Sequence, residues 1–185
     1  GTWEEVLDLT ELDLGIENLH VHAVHIDAYT NDFLVTFGDK ADASGLLRSK
    51  DFGRTWERIV NVGQYTTIYA LKDYYILGTD TGVIDQGVYR VNKQTLELEI
   101  AYKIADVDIG GTTRKYCANT SYRGPDATSP LYIGFILESG TGGLRVVGTI
   151  DGIDFYPIVK DSRIRAGVQS IDSFFGPTTS GKVFV

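Results

Sequence analysis

The sequence contains no methionine and a single cysteine, Cys117, in 185 residues. One cysteine excludes an internal disulfide framework and leaves the redox compartment open. Basic residues are in deficit: Lys and Arg total 17 against 25 Asp and Glu, a formal charge of −8. An acidic surface repels phosphate backbones and anionic lipid, so neither nucleic acid nor a membrane surface is expected as a partner. No apolar run is long enough to span a bilayer. The first residues show no basic start followed by an apolar stretch. Helical periodicity is never sustained over two turns, and no segment is of low complexity. There is no phosphate-cradling glycine loop, no cysteine-based zinc pattern and no Ser-His-Asp order.

What is present points to strands. The chain holds 21 Gly, 11 Tyr and 8 Phe, with 43% apolar and 23% charged residues. That balance suits a globular core, and the glycine and aromatic content suits many short strands and turns. The length is enough for one domain with a real core.

The most informative stretch is Ser49-Lys50-Asp51-Phe52-Gly53-Arg54-Thr55-Trp56. An Asp and a Gly two apart suit a tight turn, because Asp bonds nearby backbone and Gly adopts positive φ. Leu46-Leu47 before it and Trp56 with Ile59-Val60 after it read as the strands the turn joins. The form Ser-x-Asp-x-Gly-x-Thr-Trp resembles the Asp box, or BNR repeat, of sialidase-like β-propellers. The resemblance implies that Ser49, Asp51, Gly53, Thr55 and Trp56 are structural. In that family the hairpin closes the outer half of a blade, its tryptophan packs between blades, and the ligand face lies elsewhere. Thr149-Ile150-Asp151-Gly152-Ile153-Asp154-Phe155 looks like a degenerate second box. Gly1-Thr2-Trp3 looks like the tail of another, which predicts that the chain begins inside a repeat of a longer polypeptide.

Four short strands recurring in about 40 residues predict an all-β fold of consecutive four-stranded antiparallel blades, a partial propeller of three to four. Residues 3–9 read as an outer strand left from a preceding blade, and 10–18 as a polar connection. The first blade covers about 19–60, with strands at 19–26, 33–37, 46–49 and 56–60. The second covers about 65–102, with strands at 67–71, 74–78, 87–91 and 96–102. The third covers about 112–160, with strands at 115–119, 131–137, 144–149 and 155–159, and a loop at 121–130. A partial blade is expected over 167–185.

Antiparallel pairing places the start of each first strand beside the end of each second strand. This predicts that His20 and His22 share one face with the carboxylates Asp39, Asp80 and Glu138, all three at the same structural position. His20 and His22 are two apart on a strand, so their side chains point the same way, roughly 6–7 Å apart at Cα. Two imidazoles with nearby carboxylates are a candidate divalent-metal site, an acid–base pair, or a surface for a sugar. Paired carboxylates are what glycoside hydrolysis needs, which makes Asp39, Asp80 and Glu138 the candidate catalytic groups. Tyr65, Tyr69, Tyr116 and Tyr122 are candidate aromatic platforms, and Arg114 and Arg123 candidate ligand contacts.

A sialidase of the family needs three arginines for the sugar carboxylate and a Tyr–Glu nucleophile pair. None of Arg114, Arg123, Arg163 or Arg165 sits in the family's Phe/Tyr-Arg-Ile-Pro motif, and an acidic cluster is the wrong field for an anionic sugar. The expectation is a carbohydrate-recognition module of a larger secreted, surface or virion protein, binding a glycan or polysaccharide. A glycoside hydrolase or polysaccharide lyase using the same residues, and a protein-binding scaffold, are the alternatives. The remaining blades are expected from the parent chain or from a second copy.

Overall fold

A computed structural model of the chain describes residues 2, 4–12, 20–38, 43–80, 84–109, 112–114, 116–123, 128–137 and 144–161. The protein is all-β. Three four-stranded antiparallel sheets follow one another along the sequence, each with its strands in chain order. The first sheet is β1 (His20–Ile26), β2 (Phe33–Gly38), β3 (Gly45–Ser49) and β4 (Glu57–Val60). The second is β5 (Tyr65–Ala70), β6 (Tyr74–Thr79), β7 (Gly87–Asn92) and β8 (Leu98–Lys103). A short hairpin, β9 (Val107–Ile109) and β10 (Thr112–Arg114), comes next. The third sheet is β11 (Tyr116–Arg123), β12 (Leu131–Leu137), β13 (Leu144–Thr149) and β14 (Tyr156–Asp161).

The three sheets repeat one another in register, bulges included. The first strand of each carries an extra residue opposite the second strand: His22, Thr66 and Asn119. The fourth strand of each carries another opposite the third: Ile59, Ala101 and Ile158. A bulge bends its strand and increases the local twist. Two bulges at matched positions therefore give three sheets of one shape, and like shapes stack.

They stack first strand beside first strand, β1 against β5 and β5 against β11. Leu34, Leu46 and Val60 of the first sheet pack on Tyr65, Ile68, Tyr75 and Leu77 of the second. Leu71, Ile76 and Val88 of the second pack on Tyr116, Leu131, Ile133 and Phe135 of the third. Adjacent residues on a strand point to opposite faces, so Ile76 serves one junction and Leu77 the other.

Three expectations need correction. Residues 4–8 form no strand, and Leu9–Leu12 is a 3-10 turn. Strand β11 runs to Arg123, into the stretch read as loop, and the β9–β10 hairpin was not foreseen. Trp56 faces the amino-terminal segment rather than the second sheet. It is half-buried with Leu7 and Leu9 against Val35, Phe37 and Leu47, and its Nε1 donates to the Val6 carbonyl at 2.8 Å. The partial blade at 167–185 lies outside the described residues, as do Trp3, Arg163 and Arg165. No helix among the described residues is long and apolar enough to cross a membrane.

Candidate functional site

Two ends of the stack differ in chemistry. One is formed where first strands start and second strands finish, around His20, Gly38, Gln64 and Asp80. The other carries the turns that follow β1, β3, β7 and β13.

At the first end, His20 is exposed and His22 half-buried. Their rings stack with centroids 4.7 Å apart and planes 15° from parallel. The bulge at His22 sets this geometry, since it breaks the alternation that would otherwise govern both side chains. Near-parallel rings direct their lone pairs along separate planes, so both nitrogens reach one ion at about 2.1 Å only if a ring turns. Among the described residues, no group of three or more His, Cys, Asp or Glu is placed to hold a metal.

His20 pairs across the strands with Gly38. A Cβ at Gly38 would lie 3.1 Å from Cγ of Gln64 and 2.9 Å from Cβ of Ser44, so only glycine lets Gln64 pack there. The Gln64 Nε2 donates to Asp80 Oδ2 at 2.9 Å, and the Asp80 N–H donates to the Gln64 carbonyl at 2.9 Å. Gln86 Nε2 donates to the Asp80 carbonyl at 3.0 Å. Gln64 is itself buried, and Asp80 is a half-buried, oriented carboxylate.

The expected carboxylate trio is not symmetric. The position Asp80 holds opposite Gln64 belongs to Gly38 in the first sheet and Ile136 in the third. Asp39 follows that position by one residue and Glu138 by two, and both lie outside the described residues. Tyr65 and Tyr116 are core rings rather than sugar platforms. Tyr65 is fully buried edge-on to Tyr89, and burial pushes its phenol well above the usual range. Tyr116 is buried beneath the Arg145 guanidinium, 5.3 Å from the ring centroid. The side chains of Arg114 and Tyr122 lie outside the described residues. Arg123 ends β11 and belongs to the opposite end, where it donates to the Ser129 carbonyl and the Tyr29 hydroxyl.

The turn after β3 is built as its residue types suggest. Ser49 Oγ donates to Asp51 Oδ1 at 2.8 Å and accepts from the Gly53 N–H at 2.8 Å. Asp51 accepts from the Thr55 N–H at 2.8 Å and from its hydroxyl at 2.7 Å. Those bonds, the Thr55 hydroxyl first, hold the half-buried Asp51 carboxyl down at about 2. Gly53 adopts φ 87°, and a Cβ there would lie 2.8 Å from Val6. The turn after β13 repeats the scheme, with Thr149 Oγ1 accepting from the Gly152 N–H and Asp151 accepting from the Ile153 N–H.

Sequence reasoning missed a buried ionic network at this second end. Asp27 accepts from the Tyr29 N–H, the Thr30 hydroxyl and Lys93 Nζ. Lys93 lies 5.0 Å from the ring centroids of both Tyr29 and Tyr75. Tyr75 donates to Asp32, and Arg48 donates to Glu57 with its guanidinium beside Tyr75. The available signal was a pair of opposite charges inside two turn sequences, which becomes meaningful only once the turns are neighbours. Comparison of the chain with protein-family models, curated proteins and solved structures finds no match.

Proposed function

We propose that the chain is part of a sialidase-like β-propeller that recognises carbohydrate, on the end carrying His20, His22, Gln64 and Asp80. The propeller reading is supported by three sheets of one register, stacked first strand beside first strand. The Ser49–Trp56 turn, bonded as an Asp-box sequence would require, supports it independently.

The observation that carries the sugar reading is the accessible imidazole stack beside an oriented amide–carboxylate pair. Sugars present C–H faces to flat rings and hydroxyls to carboxylates; here the rings are His20 and His22, and the carboxylate is Asp80, oriented by the buried Gln64. Recognition is favoured over hydrolysis, because the register gives Asp80 no carboxylate counterpart at Gly38 or Ile136. A surface or extracellular setting fits such a ligand.

The test is a glycan array read with the wild-type chain and with His20→Ala and Asp80→Ala. Saturable binding to a defined glycan, lost in both variants and kept in Asp51→Ala, is the expected result. No glycan bound, or binding indifferent to His20 and Asp80, overturns the proposal.

A further inference from the structure

The outer faces of the stack carry register positions that are buried inside it. Val24 and Ile26 pair across β1–β2 with Val35 and Phe33. Their counterparts in the second sheet are Ile68 and Ala70, paired with Leu77 and Tyr75. Ile68 and Ala70 are 4% and 2% exposed because the first sheet covers them, whereas Val24 and Ile26 are 67% and 54% exposed.

Among the described residues, the far side of the third sheet is uncovered in the matching way. Leu34 and Ile76 are buried at junctions, while their counterpart Tyr132 is only half-buried. Opposite these three residues stand Arg48, Arg90 and Gly148. Both arginines reach across a junction. Arg48 pairs with Glu57 and sits beside Tyr75 of the next sheet. Arg90 pairs with Glu99 and donates to the Gly152 and Ile153 carbonyls of the next sheet. Gly148 has no side chain to do this. In its place is an apolar notch of about 270 Å³ bordered by Pro130, Tyr132, Tyr156 and Ile158. Tyr156 and Ile158 are mostly exposed there.

The near face of the first sheet offers what fits. Tyr75, the residue that meets Arg48, has Phe33 as its counterpart. Phe33 lies edge-on to the exposed Phe52, with centroids 6.0 Å apart. Leu7 and Leu9 already cover Val35, Phe37 and Leu47 on the near face, so its uncovered part is Val24, Ile26 and the Phe33–Phe52 pair. That part and the far face correspond to halves of an interface the protein already makes twice. An aromatic anchor entering an apolar notch is the usual energetic centre of such a contact.

We propose that a second copy of this chain occupies these faces. The Phe33–Phe52 pair of one copy, with Val24 and Ile26, covers Gly148, Tyr156 and Ile158 of the other. The reciprocal junction closes the assembly on a two-fold axis, which leaves neither face open. This inference rests on the repeated register and is independent of sugar binding.

Sedimentation equilibrium of the whole 185-residue chain tests it. A concentration-dependent dimer is expected. Val24→Asp on one face and Tyr156→Asp on the other should each give monomers with unchanged far-UV circular dichroism. Ile158→Asp replaces Tyr156→Asp if that variant loses its fold, since Ile158 is also exposed. Mixing a near-face variant with a far-face variant should restore association, because one intact junction remains. A wild-type chain that stays monomeric overturns the proposal, including the case in which residues 162–185 cover the notch. A dimer that survives both substitutions also overturns it.

Discussion

Lys93 Nζ lies 2.5 Å from Asp27 Oδ2, and the two residues come from turns of different sheets. Asp27 is fully buried at its side chain and Lys93 almost so. Charges removed from water this completely are tolerated only when every lone pair and proton is answered. Here the Tyr29 N–H and the Thr30 hydroxyl take the remaining carboxylate positions, and two tyrosine rings flank the ammonium. The pair pins the register of the first junction at a point where apolar packing alone would allow sliding.

Replacing Lys93 with methionine should therefore cost about 3–5 kcal/mol, because it leaves a buried carboxylate without its counter-charge. Urea unfolding at neutral pH measures this directly. The double variant Lys93→Met/Asp27→Asn should lose clearly less than the two single losses added together, since the stranded charge is gone. A single-variant loss under about 1 kcal/mol would mean that the pair is solvated.

Acid should destabilise the protein in two steps. His25 packs on Tyr69, with ring centroids 4.6 Å apart. Burial lowers its pKa, nearby Asp27 opposes this, and Lys93 adds to the lowering. A histidine whose folded pKa lies below its unfolded value binds fewer protons when folded. Its contribution is complete above about 6.5 and fades as pH falls through that value toward the folded one. For Asp27, burial alone would raise the carboxyl, but Lys93, Tyr29 and Thr30 outweigh it and the net shift is down. Its contribution is present above the unfolded value of about 3.9 and is lost on further acidification. Thermal melts should show a first decline below about pH 6.5, absent in His25→Phe, and a second below about pH 4. A midpoint unchanged from pH 7 to 5 in the wild type would contradict the first step.

The strands were legible because short apolar runs bounded by turn residues recur at regular spacing, as in Leu131–Leu137 and in Phe33–Phe37, which is covered on both faces. The bulges were not, because a bulge is a mismatch between two strands and neither sequence contains it alone. Counting from strand ends put Asp39, Asp80 and Glu138 in one place, whereas the register aligns Asp80 with Gly38 and Ile136, one residue before Asp39 and two before Glu138. Residues 4–8 repeat the sequence character of 57–60, yet only 57–60 form a strand, since β4 has the backbone of β3 to pair with. Tyr65 and Tyr116 illustrate the limit for sites: composition marks a ring, and only packing decides whether it meets a sugar or a core.

Trp56 should matter less than a fully buried tryptophan. It contacts the cluster of Val35, Phe37 and Leu47 from one side and donates to the Gly53 and Val6 carbonyls. Trp56→Ala should cost about 2 kcal/mol, below the roughly 3–5 seen when an aromatic side chain leaves a closed core. Leu7 packs on the same cluster. A double-mutant cycle with Leu7→Ala should show coupling of about 0.5–1 kcal/mol, because either truncation loosens the support of the other. Strict additivity would show that the amino-terminal segment does not rest on this tryptophan.

Two glycine substitutions should separate sharply. Gly87 begins β7 with φ 150°, and a Cβ there would lie 2.0 Å from the Tyr102 carbonyl oxygen. That neighbour is backbone held in the β7–β8 ladder, so it yields only if the strand pairing opens. Gly45 meets the Val60 carbonyl in the same way, which marks a shared constraint of the first two sheets. Gly148 differs: its nearest neighbours would be the ends of the Ile158 and Tyr132 side chains, at 3.2 and 3.3 Å, and it has no positive φ. Side-chain tips move by rotamer adjustment, whereas a laddered carbonyl does not. Gly87→Ala should therefore lose about 3–4 kcal/mol in urea unfolding, and Gly148→Ala less than about 1. Equal losses at the two positions would mean that the Gly87 backbone relaxes freely, and with it the register on which the likeness of the three sheets depends.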